Sequence, residues 1–413
     1  MTSGFSLVFL AAVALTLLAR LWLGQRHIRH VLRHRAAVPA GFAGRIPLAA
    51  HQKAADYTVD RCRAGLAASL ADSALLLALT LGGGIAWLHG FWAARLDGVA
   101  YGLAMIFSLL LVAALVDLPF SLYRQFAVEV RHGFNRMTPA LFCADLGKQA
   151  LLAIVIGAPV IAAVLWLMEA MGAAWWLWVW LFWAGFNLLL LVVYPAWIAP
   201  WFNKFTPLAG GEMKSRIEAL LERSGYHASG LFVMDGSKRS SHGNAYFTGF
   251  GANKRIVFFD TLLERLSPDE IEAVLAHELG HFRKKHIVWR IALLFAGSLL
   301  FLWLLGQLIG SPWFYAGLGV PAQNTALALI LFFLAAPVFS FPLSPLFSQL
   351  SRRQEFEADA WAAGQTGAAA LVSALVKLYE DNAATLTPDP LYSAFYDSHP
   401  PAAARIARLQ AGA

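Results

Sequence analysis

Residues 277–309 read HELGHFRKKHIVWRIALLFAGSLLFLWLLGQLI, a passage that turns within a few residues from a metal-binding pattern to chain fit for lipid. His277 and His281 are four apart and share a helix face, so both imidazoles can reach one ion while Glu278 projects beside it toward a bound water. Zinc lowers the pKa of such a water, and a neighbouring carboxylate can then take its proton. A chance match to this pattern is expected about once in a hundred chains of similar His and Glu content. The flanking residues argue against chance. Ser267-Pro268-Asp269-Glu270 has the form of a capping box with Pro at the first helical position, and Ile271, Val274 and Leu275 supply an apolar face leading into the motif.

Outward from the motif, no Asp, Glu, Lys or Arg occurs from Ile291 through Ser351, which places two spans and their short loop in or beside lipid. The whole chain of 413 residues is 59% hydrophobic and 14% charged, with a mean hydropathy of +0.58, too apolar for an ordinary soluble enzyme. Seven segments are long and apolar enough to cross a bilayer: 5–23, 66–89, 99–118, 150–168, 175–197, 288–309 and 325–346. Pro342 and Pro345 predict a bend or an early stop in the last.

The basic residues set an orientation. Arg26, Arg29, Arg33, Arg35, Arg45, Lys53, Arg61 and Arg63 follow the first span, and the third and fifth connections and the tail are also basic. The second connection holds Arg95 alone, and the fourth and sixth hold no Lys or Arg. By the positive-inside rule the N-terminus is external and the metal motif cytoplasmic. The first segment lacks a basic leader and is read as a retained anchor. The net charge of +7 is thereby accounted for by topology, and no nucleic-acid motif accompanies it. Cys62 and Cys143 fall in cytoplasmic connections outside any C-x-x-C pattern, so neither a disulfide nor a cysteine metal site is expected.

The polar chain comes in two pieces. Residues 199–287 contain a helix near 213–223 and strand-like runs at 231–234, 244–249 and 255–259 before the metal helix, with Gly249, Gly251 and Asn253 favouring a hairpin. Residues 347–413 carry Glu355-Phe356-Glu357-Ala358-Asp359, a source for a third ligand. The domain division is thus 1–198 for spans one to five, 199–287 for the first catalytic portion, 288–346 for spans six and seven, and 347–413 for the second catalytic portion.

A catalytic zinc site needs a third protein ligand and one open position. A third His ten residues after His277 would mark the metzincins, but that residue is Ile287. His286, on a helix continued from the motif, would face away from His277 and reads as an interfacial or structural histidine. Glu355 and Asp359 are four apart and share a helix face, whereas Glu357 points elsewhere. Either Glu355 or Asp359 could bind the ion while the other orients a ligand imidazole.

The runs 237–249, 277–286, 352–359 and 389–405, together with Phe120-Ser121-Leu122-Tyr123 and His132-Gly133-Phe134-Asn135, closely resemble the integral-membrane CAAX prenyl protease 1 family of zinc metallopeptidases, over nearly the whole chain. The resemblance implies a mainly α-helical polytopic membrane protein: seven transmembrane helices enclosing a chamber, with a gluzincin-like α+β peptidase domain on the cytoplasmic side. It implies one Zn2+ per chain held by His277, His281 and Glu355, with Glu278 as general base and Asp359 supporting a ligand His. It places Asn244, Ala245 and Tyr246 on the strand that holds substrate backbone, and His399 and Arg405 where charge develops on the scissile carbonyl. The substrate it implies is a prenylated protein or peptide cut near its C-terminus. A broad-specificity quality-control peptidase is the alternative of the same chemistry. A zinc-containing chaperone or transporter is the non-catalytic one, and it would have no use for Glu278. An Ala/Leu/Gly-rich, lysine-poor composition points to a bacterial plasma membrane, with the endoplasmic reticulum as the eukaryotic counterpart.

Overall fold

A computed structural model describes residues 4–226, 228–248 and 255–412. Among them are seven helices long and apolar enough to cross a membrane. The first five are α1 (Gly4–Arg33), α2 (Leu48–Leu79), α3 (Gly98–Arg131), α4 (Pro139–Ala170) and α5 (Gly172–Trp201). Large apolar side chains such as Trp22, Leu111, Leu189 and Trp289 stand exposed along the spans, as a lipid solvent requires. Inward, Phe9, Met105, Leu165, Leu305, Leu327 and Leu331 close one apolar core between the helices.

The second span departs from its expected bounds of 66–89. It ends at Leu79, because Gly82, Gly83 and Gly84 follow and Gly83 takes φ 82°, a left-handed conformation that stops the helix; a separate short helix, Gly84–Ala93, resumes. At its other end α2 begins at Leu48, well before the apolar segment, and its polar first turns reach the polar portion of the chain, with Tyr57 Oη 3.4 Å from His242 Nε2.

That portion is α+β. A four-stranded sheet has the order β1-β2-β4-β3, with β1 (Phe205–Pro207), β2 (Gly230–Met234), β3 (Ala245–Thr248) and β4 (Arg255–Phe259). β2 and β4 run parallel, while β1 and β3 add antiparallel edges. The expected strands and the 213–223 helix, here α6 (Glu212–Arg223), are present. The turn residues Gly249, Gly251 and Asn253 lie outside the described residues. β1 was not foreseen, being three residues that end in Pro, a residue an edge strand tolerates.

The metal motif sits on α7 (Pro268–Arg283), whose N-terminus carries the expected capping box between Ser267 and Glu270. The sixth span, α8 (His286–Leu308), does not continue α7. Lys284 ends that helix and Lys285 adopts φ 58°, so the chain turns before entering lipid. The seventh candidate span lies in the helical run Thr325–Thr366, where α9 (Thr325–Ser340) passes through a short 3-10 turn, Phe341–Leu343, into α10 (Ser344–Thr366) at the position of Pro342 and Pro345. After it come α11 (Ala368–Asp381), α12 (Pro390–Tyr396) and α13 (Ala402–Ala411). Ile217, Ile256, Phe258, Ile271, Leu275, Leu371 and Ile406 join sheet, α6, α7, α11 and α13 in a second core.

Gly280, inside the motif, lets α7 and α10 approach closely: a Cβ there would lie 3.0 Å from both the Cα and the carbonyl oxygen of Ala358. A helix-interior Gly costs about 1 kcal/mol relative to Ala, and here it stands where an added methyl would force the two backbones apart by a few tenths of an ångström. Gly280→Ala is expected to lower stability by about 1–3 kcal/mol through overpacking, read as a drop in thermal midpoint in detergent. An unchanged midpoint would mean that the two helices can separate without loss.

Candidate active site

α7 and α10 bring together the residues that the motif left apart. One ligand atom each from His277, His281 and Glu355 lies within 4.8 Å of the others. The two imidazole Nε2 atoms are 3.3 Å apart, and each lies 3.4 Å from a Glu355 oxygen. Glu355 is 2% exposed, and its Oε2 has no hydrogen-bond partner among the described residues. Two imidazole nitrogens and an orphaned buried carboxylate oxygen converging on one point form the donor set of a divalent transition-metal site.

The open choice between Glu355 and Asp359 now has a geometric answer. Glu355 reaches Nε2 of both histidines, whereas Asp359 Oδ1 lies 2.8 Å from Nδ1 of His277, on the far side of the ring. An ionised carboxylate only accepts, so His277 Nδ1 carries the proton and leaves Nε2 its lone pair. Burial disfavours charge on the metal-free ring, but the hydrogen bonds to Asp359 and Glu355 outweigh it and push the imidazole up to about 9, so a bound cation takes Nε2 by displacing its proton while Nδ1–H stays on Asp359. Arg405, from α13, clamps Asp359 through Nε at 2.8 Å and Nη2 at 2.6 Å, and it is itself 6% exposed. Its Nη1 lies 3.9 Å from Glu355.

Glu278 flanks the cluster on the same helix. Burial raises its pKa, helped by the Glu355 carboxylate and opposed by the two histidines and Arg405, which moves a carboxylate toward the range useful to a general base at neutral pH. His399 follows α12, with Nε2 3.5 Å from Glu355 Oε1 and its side chain 61% exposed toward the cleft. Arg352 on α10 fixes the approach to that loop, donating to the Asp397 carbonyl at 3.2 Å and to Ser393 Oγ at 2.8 Å.

Asn244 is exposed just ahead of β3, where its carbonyl accepts from Phe259 N at 2.9 Å and its Oδ1 from Ala245 N at 2.9 Å. Ala245 and Tyr246 belong to β3 itself and pair with Phe258 and Val257. Among the described residues β3 has one neighbour in the sheet, so its other edge can take an added strand.

Two residues read otherwise in the sequence lie at the site. His286 is 3% exposed and its Nδ1 is 3.0 Å from Nδ1 of His281, because the turn at Lys285 folds it back instead of carrying it round a continuous helix. Glu357 Oε2 lies 3.1 Å from His286 Nε2. A Lys-Lys pair carries no helix-stop signal of the Gly or Pro kind, so nothing in the sequence announced this reversal.

Comparison with known proteins agrees with the arrangement. Residues 27–204 match the family described as CAAX prenyl protease N-terminal, five membrane helices, and residues 207–413 match Peptidase family M48. A CAAX prenyl protease 1 homolog of Oryza sativa subsp. japonica is 39% identical over 315 residues, covering 76% of this chain and 74% of its own. CAAX prenyl protease 1 of Saccharomyces cerevisiae is 38% identical over 332 residues, 75% of this chain and 72% of its own. A Mus musculus homolog is 33% identical over 454 residues, 98% and 95% respectively. The crystal structure of S. mikatae Ste24p superposes with a TM-score of 0.92 at 30% identity, covering 99% of this chain and 100% of that one. With seven candidate spans, a convergent His-His-Glu cluster and matches along both halves, the chain belongs to the CAAX prenyl protease 1 family, as an integral-membrane M48 metalloendopeptidase.

Proposed function

We propose that this protein is a zinc-dependent endopeptidase that cuts prenylated proteins or peptides near their C-termini, using a site on the cytoplasmic side of the membrane. The observation that carries the chemistry is the convergence of His277, His281 and Glu355 beside Glu278. The basic connections support the cytoplasmic side, and the lysine-poor composition supports a bacterial plasma membrane. Residues 199–287 and 347–413 act as the two halves of the catalytic domain, with spans in 1–198 and 288–346.

His277, His281 and Glu355 would hold the metal. Zinc bound there would lower the pKa of a coordinated water and polarise the scissile carbonyl. Substrate backbone adds to the edge of β3 that has no partner among the described residues, from Asn244 through Ala245 and Tyr246, which sets its register against the sheet. Glu278 takes the proton of the attacking water and passes it to the leaving amine, so no acyl-enzyme forms. His399 donates toward charge developing on the carbonyl oxygen, and Arg405 adds positive charge from behind while fixing Asp359 against His277.

Support for a lipid-modified substrate comes from an apolar cavity of about 840 Å3 between the spans. Val179, Trp183, Phe301 and Phe332 line it, and it reaches Gln354 and Ser398, the neighbours of Glu355 and His399. Purified protein should contain one zinc per chain, lose cleavage on chelation and regain it on adding zinc back, with metal content measured alongside. It should cut a prenylated peptide faster than the same peptide unmodified. Equal rates on the two would replace prenyl specificity with broad peptidase action, and metal-independent cleavage would remove the mechanism.

A further inference from the structure

We infer that His286 and Glu357 form a hydrogen-bonded relay that fixes the tautomer and ring orientation of the metal-ligand histidine His281, an inference that rests on the metallopeptidase reading above. Tautomers follow from which partners can only accept. Glu357 is such a partner, so the 3.1 Å contact places a proton on His286 Nε2. A neutral His286 then offers Nδ1 as an acceptor. The 3.0 Å contact to His281 Nδ1 is accordingly a donation from His281, whose Nε2 is left bare and faces the cluster. Every polar atom along the line from Glu357 to the metal position has one compatible role.

The arrangement parallels the support of the other ligand by different means. His277 is held by Asp359 directly, at 2.8 Å. No carboxylate comes as near to His281 Nδ1 in the described residues, and an intervening imidazole spans the gap to Glu357. The backbone was bent to achieve this: Lys285, a non-glycine residue, sits at φ 58°, a left-handed conformation with a steric cost, and His286 follows at once as the first residue of α8. Packing restricts the ring further, since it meets His281 edge-on at 71° with centroids 5.1 Å apart. Glu357 is 42% exposed and also neighbours Arg353 at 3.4 Å. His286 and Glu357 are positioning residues: neither touches substrate, and both act through His281.

The test is zinc affinity of the purified full-length chain, measured by competition with a chromophoric chelator, alongside the thermal midpoint of each metal-free variant. Glu357→Ala and His286→Ala are each expected to weaken zinc binding about 10- to 100-fold. Glu357 is partly exposed, so its replacement should leave the metal-free midpoint unchanged even where His286→Ala lowers it. The double variant should bind no more weakly than His286→Ala alone, because Glu357 has no path to the metal except through that ring. Glu357→Gln, whose amide oxygen still accepts from Nε2, should retain most of the affinity, and Arg353→Ala should bind as wild type. Wild-type affinity in Glu357→Ala, or losses that add in the double variant, would overturn the relay. A wild-type chain that bound no zinc would overturn the metallopeptidase reading itself, a result distinct from either.

Discussion

Glu278→Gln protein is expected to bind zinc at the wild-type stoichiometry and to hydrolyse peptide about 100- to 10,000-fold more slowly, the span over which a positioned general base contributes. The substitution preserves shape, and Glu278 is outside the set of atoms that converge, so the ligand geometry of His277, His281 and Glu355 should persist. What is lost is a carboxylate whose pKa burial has raised, on the same turn as two imidazoles that keep it from rising too far. The effect should fall on kcat rather than on KM, since proton transfer is needed only in the transition state. Metal analysis paired with single-turnover cleavage separates the two quantities. A rate within tenfold of wild type would strike Glu278 from the mechanism.

Asp359→Ala is the change expected to harm the fold most. It strands the guanidinium of Arg405, which is 6% exposed and makes two hydrogen bonds to that carboxylate, at 2.8 and 2.6 Å. Breaking a buried pair by removing one partner costs about 3–5 kcal/mol, and the same change unties Nδ1 of His277, which should weaken metal binding about 10- to 100-fold. Removing both charges in an Asp359→Ala/Arg405→Met protein should recover part of the stability and none of the metal affinity. Thermal unfolding in detergent with and without zinc reads both effects. If the single variant unfolded at the wild-type midpoint, the pair would be ornamental to the fold.

How far the sequence could be read differs from element to element for identifiable reasons. The spans were legible because a lipid interior demands length and apolarity together, and few soluble helices supply both. The lower end of α2 was misplaced because hydropathy continues across Gly82–Gly84 while the helix does not. The metal pair on α7 was legible because its period is local. Choosing between Glu355 and Asp359 was not, since residues four apart share a helix face and differ only in which level of α7 they meet. Only the crossing of α7 and α10 at Gly280 sets that level. The contact of His286 with His281 was illegible for a related reason: it depends on the reversal at Lys285, where neither Gly nor Pro announces a break.

The crossing of α7 with α10 also fixes the order in which the donor cluster is completed during synthesis. Two of the three donors stand at 277 and 281, the third at 355, and the sixth and seventh spans lie between them. A growing chain therefore carries two of the three donors before the sixth and seventh candidate spans are made, and the third only after them. Arg405, which locks Asp359, arrives later still. The donor cluster is thus completed only once chain on both sides of the last two candidate spans has been made.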